Sequence, residues 1–341
     1  MNHKIFFLIV ISFFMLQCSN DEGIVEQFFL KNNEAVMPVL VKGNTASKVF
    51  IILLHGGPGD GAIRSYSDPG FFDALEERYA VVYWDQRCAG LSQGNCDPSG
   101  LSVSAYVNDL EKLVTLVKSH YDIESLFLLG HSWGGTLGLA YLIEGDHQSE
   151  INGFINTDGP HNFPLTTEEA KRMILTFGSN MVNKGIETEA WNNLMDRVRP
   201  KDTNKFEDVS AINKAGYATQ DILLRMDSIN DTDLKFTPHS LISGMFPSLM
   251  NQIATSSADQ FFEDFIALDL SDSLKNITIP VDLLYGRFDF VIPPAAMLDC
   301  RDQLINAQVR TFEFTRSHHS PMVHETDLYN QKVIEFVEEN R

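Results

Sequence analysis

The chain has 341 residues, with 26 Lys and Arg against 46 Asp and Glu, a formal net charge of −20. At 44% hydrophobic and 21% charged residues it can bury a large core, which excludes global disorder and low-complexity architectures. The acidic surplus argues against nucleic acid, whose phosphates demand a basic patch, and the length fits about two domains or one large α/β domain with an insertion.

The first residues read as an address. A short head with one firm positive charge, Lys4, precedes the apolar run Ile5–Leu16, in which only Ser12 is polar. That run is shorter than the roughly 20 residues a membrane span needs and has the proportions of a secretory h-region. Met15–Leu16–Gln17–Cys18 and the polar spacer Ser19–Gly23 follow. This resembles a bacterial lipoprotein signal, although such signals prefer Leu where Met15 stands and a small residue in place of Gln17. The expectation is removal of residues 1–17, a lipidated Cys18, and an exported cell-envelope protein, periplasmic or outer-membrane associated, tethered by its lipid. A cleaved signal on a secreted or periplasmic protein is the alternative. Cys88 and Cys96 bracket a short Gly/Ser/Asn-rich loop, and an oxidising compartment would let them join as a disulfide.

Along the chain, strands alternate with helices. Gly23–Leu30 and Ala35–Val41 read as an opening strand pair, and Val49–Leu54 as a strand buried on both faces. Tyr79–Trp84, Leu126–Leu129, Ile151–Ile155, Val281–Tyr285 and Val309–Phe314 repeat that pattern. Helical periodicity marks Ser104–Ser119, Trp133–Glu144 and Asp327–Glu339. The alternation predicts an α/β fold with a mainly parallel sheet. It breaks between residues 160 and 270, where only helical patterns occur. One of them is a predicted capping box, Thr166–Glu169, opening a helix at Ala170–Val182. The expected organisation is a core of residues 24–159 and 271–341 with a helical cap inserted between its halves.

The chemistry-bearing motifs sit at strand ends. Gly130–His131–Ser132–Trp133–Gly134 matches G-x-S-x-G between a buried strand and an apolar helix, the strand–elbow–helix setting of a serine nucleophile. Upstream, His55–Gly56–Gly57–Pro58–Gly59 follows Val49–Leu54. Its backbone N–H groups suit a tetrahedral oxyanion, so Gly57 and Trp133 are the expected oxyanion donors. An acid and then a base should follow the serine in the chain. Asp289 after Val281–Tyr285 is the expected acid, with Asp158 its rival. His319 after Val309–Phe314 is the expected base, with His318 and His324 as alternatives. No His/Cys cluster has zinc spacing, and no metal or cofactor is expected.

Together, His55–Gly59, Trp84–Asp85–Gln86–Arg87, Gly130–Gly135, Gly286–Asp289 and His319–Ser320–Pro321 resemble the proline iminopeptidase family of α/β-hydrolases. The resemblance implies an α/β-hydrolase fold with helices on both sheet faces, and an acyl-enzyme serine hydrolase acting on a small molecule or short peptide. It also implies that Asp85–Arg87 frame the site, where a rim salt bridge is the plainer expectation for the two charges. Three departures stand out. Cys88 occupies a position where the family usually has Gly, which favours its pairing with Cys96. His318 stands where Gly often precedes the histidine. The family's Trp-x-x-Trp-Glu amine-binding motif has Leu194 and Met195 in place of its second Trp and Glu, leaving Glu187, Glu189 and Asp196 as substitutes. An aminopeptidase is therefore the leading expectation, a carboxylesterase the runner-up, and a non-catalytic binding protein the reading outside enzymology.

Overall fold

The computed structural model describes residues 24–68, 70–94, 101–230 and 264–341. The signal segment, Cys18 and Cys96 lie outside them. Nine strands form one sheet: β1 (Ile24–Asn32), β2 (Ala35–Gly43), β3 (Val49–Leu54), β4 (Ala80–Trp84), β5 (Gln93–Gly94), β6 (Ser125–His131), β7 (Gly153–Thr157), β8 (Val281–Gly286) and β9 (Val309–Phe314). Their order is β1-β2-β4-β3-β6-β7-β8-β9, with β5 on β2. From β4 to β9 along that order every pairing is parallel, while β1 and β2 pair antiparallel.

Side-chain alternation splits the core in two. Phe50, Ile52 and Leu54 of β3 pack on one face with Leu110 and Leu113 of α2 (Val103–His120) and Leu137 of α3 (Trp133–Ile143). Val49, Ile51 and Leu53 turn to the other face, against Leu75 of α1 (Asp73–Glu76) and Tyr329 and Phe336 of the C-terminal helix. A strand covered on both sides has no polar face to keep, so its sequence is continuously apolar.

Between β7 and β8 the described residues form the helices α4 (Phe163–Asn183), α5 (Thr188–Val198) and α6 (Phe206–Arg225) and contribute no strand to the sheet. They share a core of their own, Ile174, Trp191, Leu194, Val198, Ile212 and Leu223, into which Phe290 of the β8 loop inserts. The two legs of this segment meet: Phe163 N–H donates to Leu268 O at 2.9 Å and Leu270 N–H to His161 O at 2.8 Å. The capping box expected at Thr166–Glu169 is not where α4 starts. Asn162 caps it, accepting from Leu165 N–H, with Pro164 in the first turn. Thr166 and Thr167 instead donate to the carbonyls of Asn162 and Phe163, four residues back. An Asn cap followed by a first-turn Pro is the stronger start signal, and it wins. After β8 come α7 (Pro294–Gln303), β9, α8 (Pro321–His324) and α9 (Thr326–Asn340).

Candidate active site

Parallel strands deliver their C-terminal ends to one edge of the sheet, where loops from β3, β4, β6, β7, β8 and β9 converge. Ser132 stands between β6 and α3 with φ 53° and ψ −122°, a conformation uncommon for a residue with a side chain. The turn is tight enough to require glycine on both sides. A Cβ on Gly130 would stand 2.4 Å from Gly134 O, and one on Gly134 would stand 1.9 Å from Leu54 O. The second contact brings the start of α3 against the end of β3, so the elbow and the Gly57 loop meet.

Ser132 Oγ–H donates to His319 Nε2 at 3.0 Å, and His319 Nδ1–H donates to Asp289 Oδ2 at 2.7 Å. The other oxygen of Asp289 accepts from the N–H groups of Val291 (2.8 Å) and Ile292 (2.9 Å). Burial alone would raise the Asp289 carboxyl, but His319 and these backbone donors hold it below the usual carboxylate value. Gly57 lies at φ 115°, and a Cβ there would meet Gly59 N at 2.6 Å. Trp133 takes the first position of α3, where a backbone N–H has no acceptor four residues back.

The rival residues have other places. His318 Nε2 lies 3.1 Å from Gly216 O and 2.9 Å from Thr219 Oγ1, both on α6, and burial pushes it down to about 4. His324 Nδ1 accepts from His318 N–H at 3.1 Å. Asp158 is fully buried next to Asp289 and accepts from Gly286 N–H at 3.1 Å. Asp85 and Arg87 do not form the expected rim salt bridge. Arg87 pairs with Asp109 of α2, with Nε to Oδ2 at 2.5 Å, and both are buried. Asp85 accepts from the N–H groups of Ile63 (3.0 Å) and Leu91 (2.8 Å), tying two loops together. Among the cap carboxylates, Glu187 is paired with Arg225 and Asp196 with Arg199. The buried face of α5 turns Trp191, Leu194 and Met195 inward. Cys88 is disulfide-bonded and lies at φ 58°, the left-handed region that suits the Gly usual in the resembling family.

Several side chains support the site through contacts that the sequence motifs did not reveal. Gln86 N–H donates to His55 Nε2 at 3.0 Å, Gln86 Nε2 to His55 O at 3.1 Å, and Trp133 Nε1 to Gln86 Oε1 at 2.9 Å. Gln86 therefore binds the Gly57 loop to the elbow helix. Tyr66 accepts from Gly56 N–H at 3.2 Å and donates to His131 Nδ1 at 2.6 Å, while His131 Nε2–H donates to His319 O at 2.7 Å. Burial pushes His131 down to about 3, so it stays neutral and keeps this direction. Beside His319 lies Tyr217 of α6, the two rings 5.6 Å apart.

Known proteins give this arrangement a context. Residues 49–187 match the family described as the alpha/beta hydrolase fold. A probable aminopeptidase of Bacillus subtilis is 23% identical over 327 residues, 88% of this chain and 95% of its own. A proline iminopeptidase of Saccharolobus solfataricus is 25% identical over 302 residues, covering 88% and 87%. The crystal structure of a putative aryl esterase from Burkholderia cenocepacia shares the fold at a TM-score of 0.59 and 18% identity, over 92% of this chain and 99% of that one. Fold, sheet order and matched sequence agree: the chain has the α/β-hydrolase fold and resembles the proline iminopeptidases in sequence.

Proposed function

We propose that the protein is a serine hydrolase that works through an acyl-enzyme, and that its substrates are short peptides cleaved at the N-terminal residue. The observation that carries the first half is the continuous hydrogen-bonded line from Ser132 Oγ through His319 to Asp289. His319 Nε2 takes the Ser132 proton as Oγ attacks the carbonyl, and Asp289 holds the ring and stabilises the imidazolium. The N–H groups of Gly57 and Trp133 receive the oxyanion. Collapse of the tetrahedral intermediate expels the amine, which takes the proton from His319. Water then attacks the acyl-enzyme with His319 again as base, and Ser132 is restored.

The peptidase half is supported by the aminopeptidase and proline iminopeptidase relatives. The esterase of like fold supports carboxylesterase activity as the second reading. Turnover of prolyl and alanyl arylamides against short p-nitrophenyl acyl esters separates them. Arylamide turnover abolished by Ser132→Ala is the expected result; ester turnover alone would retire the peptidase reading. We further propose an exported protein anchored through a lipidated Cys18, a cysteine outside the described residues. Among those residues no helix is long and apolar enough to cross a membrane.

A further inference from the structure

The site holds an acid that this mechanism does not use. Asp158 follows β7, keeps φ 48°, and is anchored by its N–H donating to Leu284 O at 2.9 Å. One carboxyl oxygen accepts from Gly286 N–H, and the other is buried with no hydrogen-bond partner. A carboxylate oxygen of Asp158, a ring nitrogen of His319 and a ring nitrogen of His131 all lie within 4.8 Å of one another. Two buried carboxyls thus flank one imidazole. Asp289 has three donors, His319 and the N–H groups of Val291 and Ile292, whereas Asp158 has one backbone donor. The better-solvated carboxyl keeps the charge, and the other keeps the proton.

We propose that Asp158 is a second acid of this site: a neutral neighbour of Asp289 in the native protein, and the carboxylate that orients His319 when Asp289 is lost. This positioning role rests on the serine-hydrolase reading above. Burial is the larger cause that raises Asp158 and Asp289 the next, so removing the Asp289 charge takes away the second and lets Asp158 ionise at a lower pH than in the native protein. The other titratable groups facing Asp158 are His131, His319, Tyr217 and Tyr329. His131 stays neutral, and burial holds both tyrosines protonated, so none supplies a competing charge.

The experiment follows phosphonylation of Ser132 by a fluorophosphonate in the full-length protein, in which the Oγ–P bond forms as fluoride leaves, so it needs no knowledge of the natural substrate. Wild-type labelling checks the hydrolase reading independently. Loss of a triad acid elsewhere costs about 10⁴-fold. Here Asp289→Asn should lose only about 10²-fold and gain a pH-rate profile that rises as Asp158 ionises. Asp289→Asn combined with Asp158→Asn should fall at least a further tenfold and lose that rise. Equal rates in the single and double variants would overturn the proposal. So would an Asp289→Asn rate down about 10⁴-fold with no rising limb, a result that stands even where the double variant fails to fold.

Discussion

Tyr66 shows how much one hydroxyl can organise. It sits in the π-helical turn Ile63–Ser67, is almost fully buried, and joins Gly56 N–H to His131 Nδ1. Burial keeps the phenol protonated, so its O–H always points at His131 and its lone pair at Gly56. Through His131 the line continues to the backbone carbonyl of His319, 188 residues away in sequence. Tyr66→Phe leaves a buried donor and a buried acceptor without partners, at about 1–3 kcal/mol each. Urea unfolding should therefore show a stability loss of at least about 2 kcal/mol with an unchanged m-value. A variant as stable as the wild type would mean the two groups find other partners.

At the scale of elements, the cap rests on the His318–His319 loop through α6. His318 faces Gly216 O and Thr219 on that helix, and a Cβ on Gly216 would stand only 2.5 Å from Phe290 O. The interface is also pH-sensitive. Burial pushes His318 from its ordinary 6.5 down to about 4, so the unfolded chain takes this proton first as pH falls. Stability present above pH 6.5 is therefore lost as pH drops from 6.5 toward 4, at about 1.4 kcal/mol per pH unit for one such group. Asp158 and Asp85, raised by burial, act in the opposite sense, so the informative comparison is between variant and parent. His318→Gln should show a shallower fall in Tm over pH 6.5–4; parallel curves would show that His318 does not contribute.

Elements were legible in the sequence where burial left a single pattern. Strands β3, β4 and β8 are buried throughout, and their apolar runs marked them almost to the residue. Helix α2 was equally plain from Leu110, Val114 and Val117 on its inner face, while its cap, Ser102, came only from the structure. Helix α7 escaped because it buries only Ala296, Met297 and Cys300, too narrow a stripe to read. Ser132, Asp289 and His319, which the fold brings into one hydrogen-bonded line, could be picked out because each lies in the loop that follows a recognisable strand. Gln86 and His131 stood inside recognised motifs without a role of their own and Tyr66 outside any, since a polar residue's partner 31 to 188 residues away leaves no trace in local spacing.

For the molecule as a whole, one sheet sets the geometry, and its parallel strands aim the functional loops at a single edge. The net charge of −20 spreads over a surface where ion pairs such as Lys48–Asp122 add little stability. The described cap acids Glu187 and Asp196 are paired with arginines, so overall acidity is no guide to an amine-binding site. In the proposed reaction Ser132 is a nucleophile activated by His319. Mass spectrometry of the folded protein after fluorophosphonate treatment tests it most directly. A single adduct on Ser132, lost in Ser132→Ala and slowed by orders of magnitude in His319→Asn, is the expected result. An unlabelled Ser132 in active protein, or labelling at the same rate without His319, would contradict it.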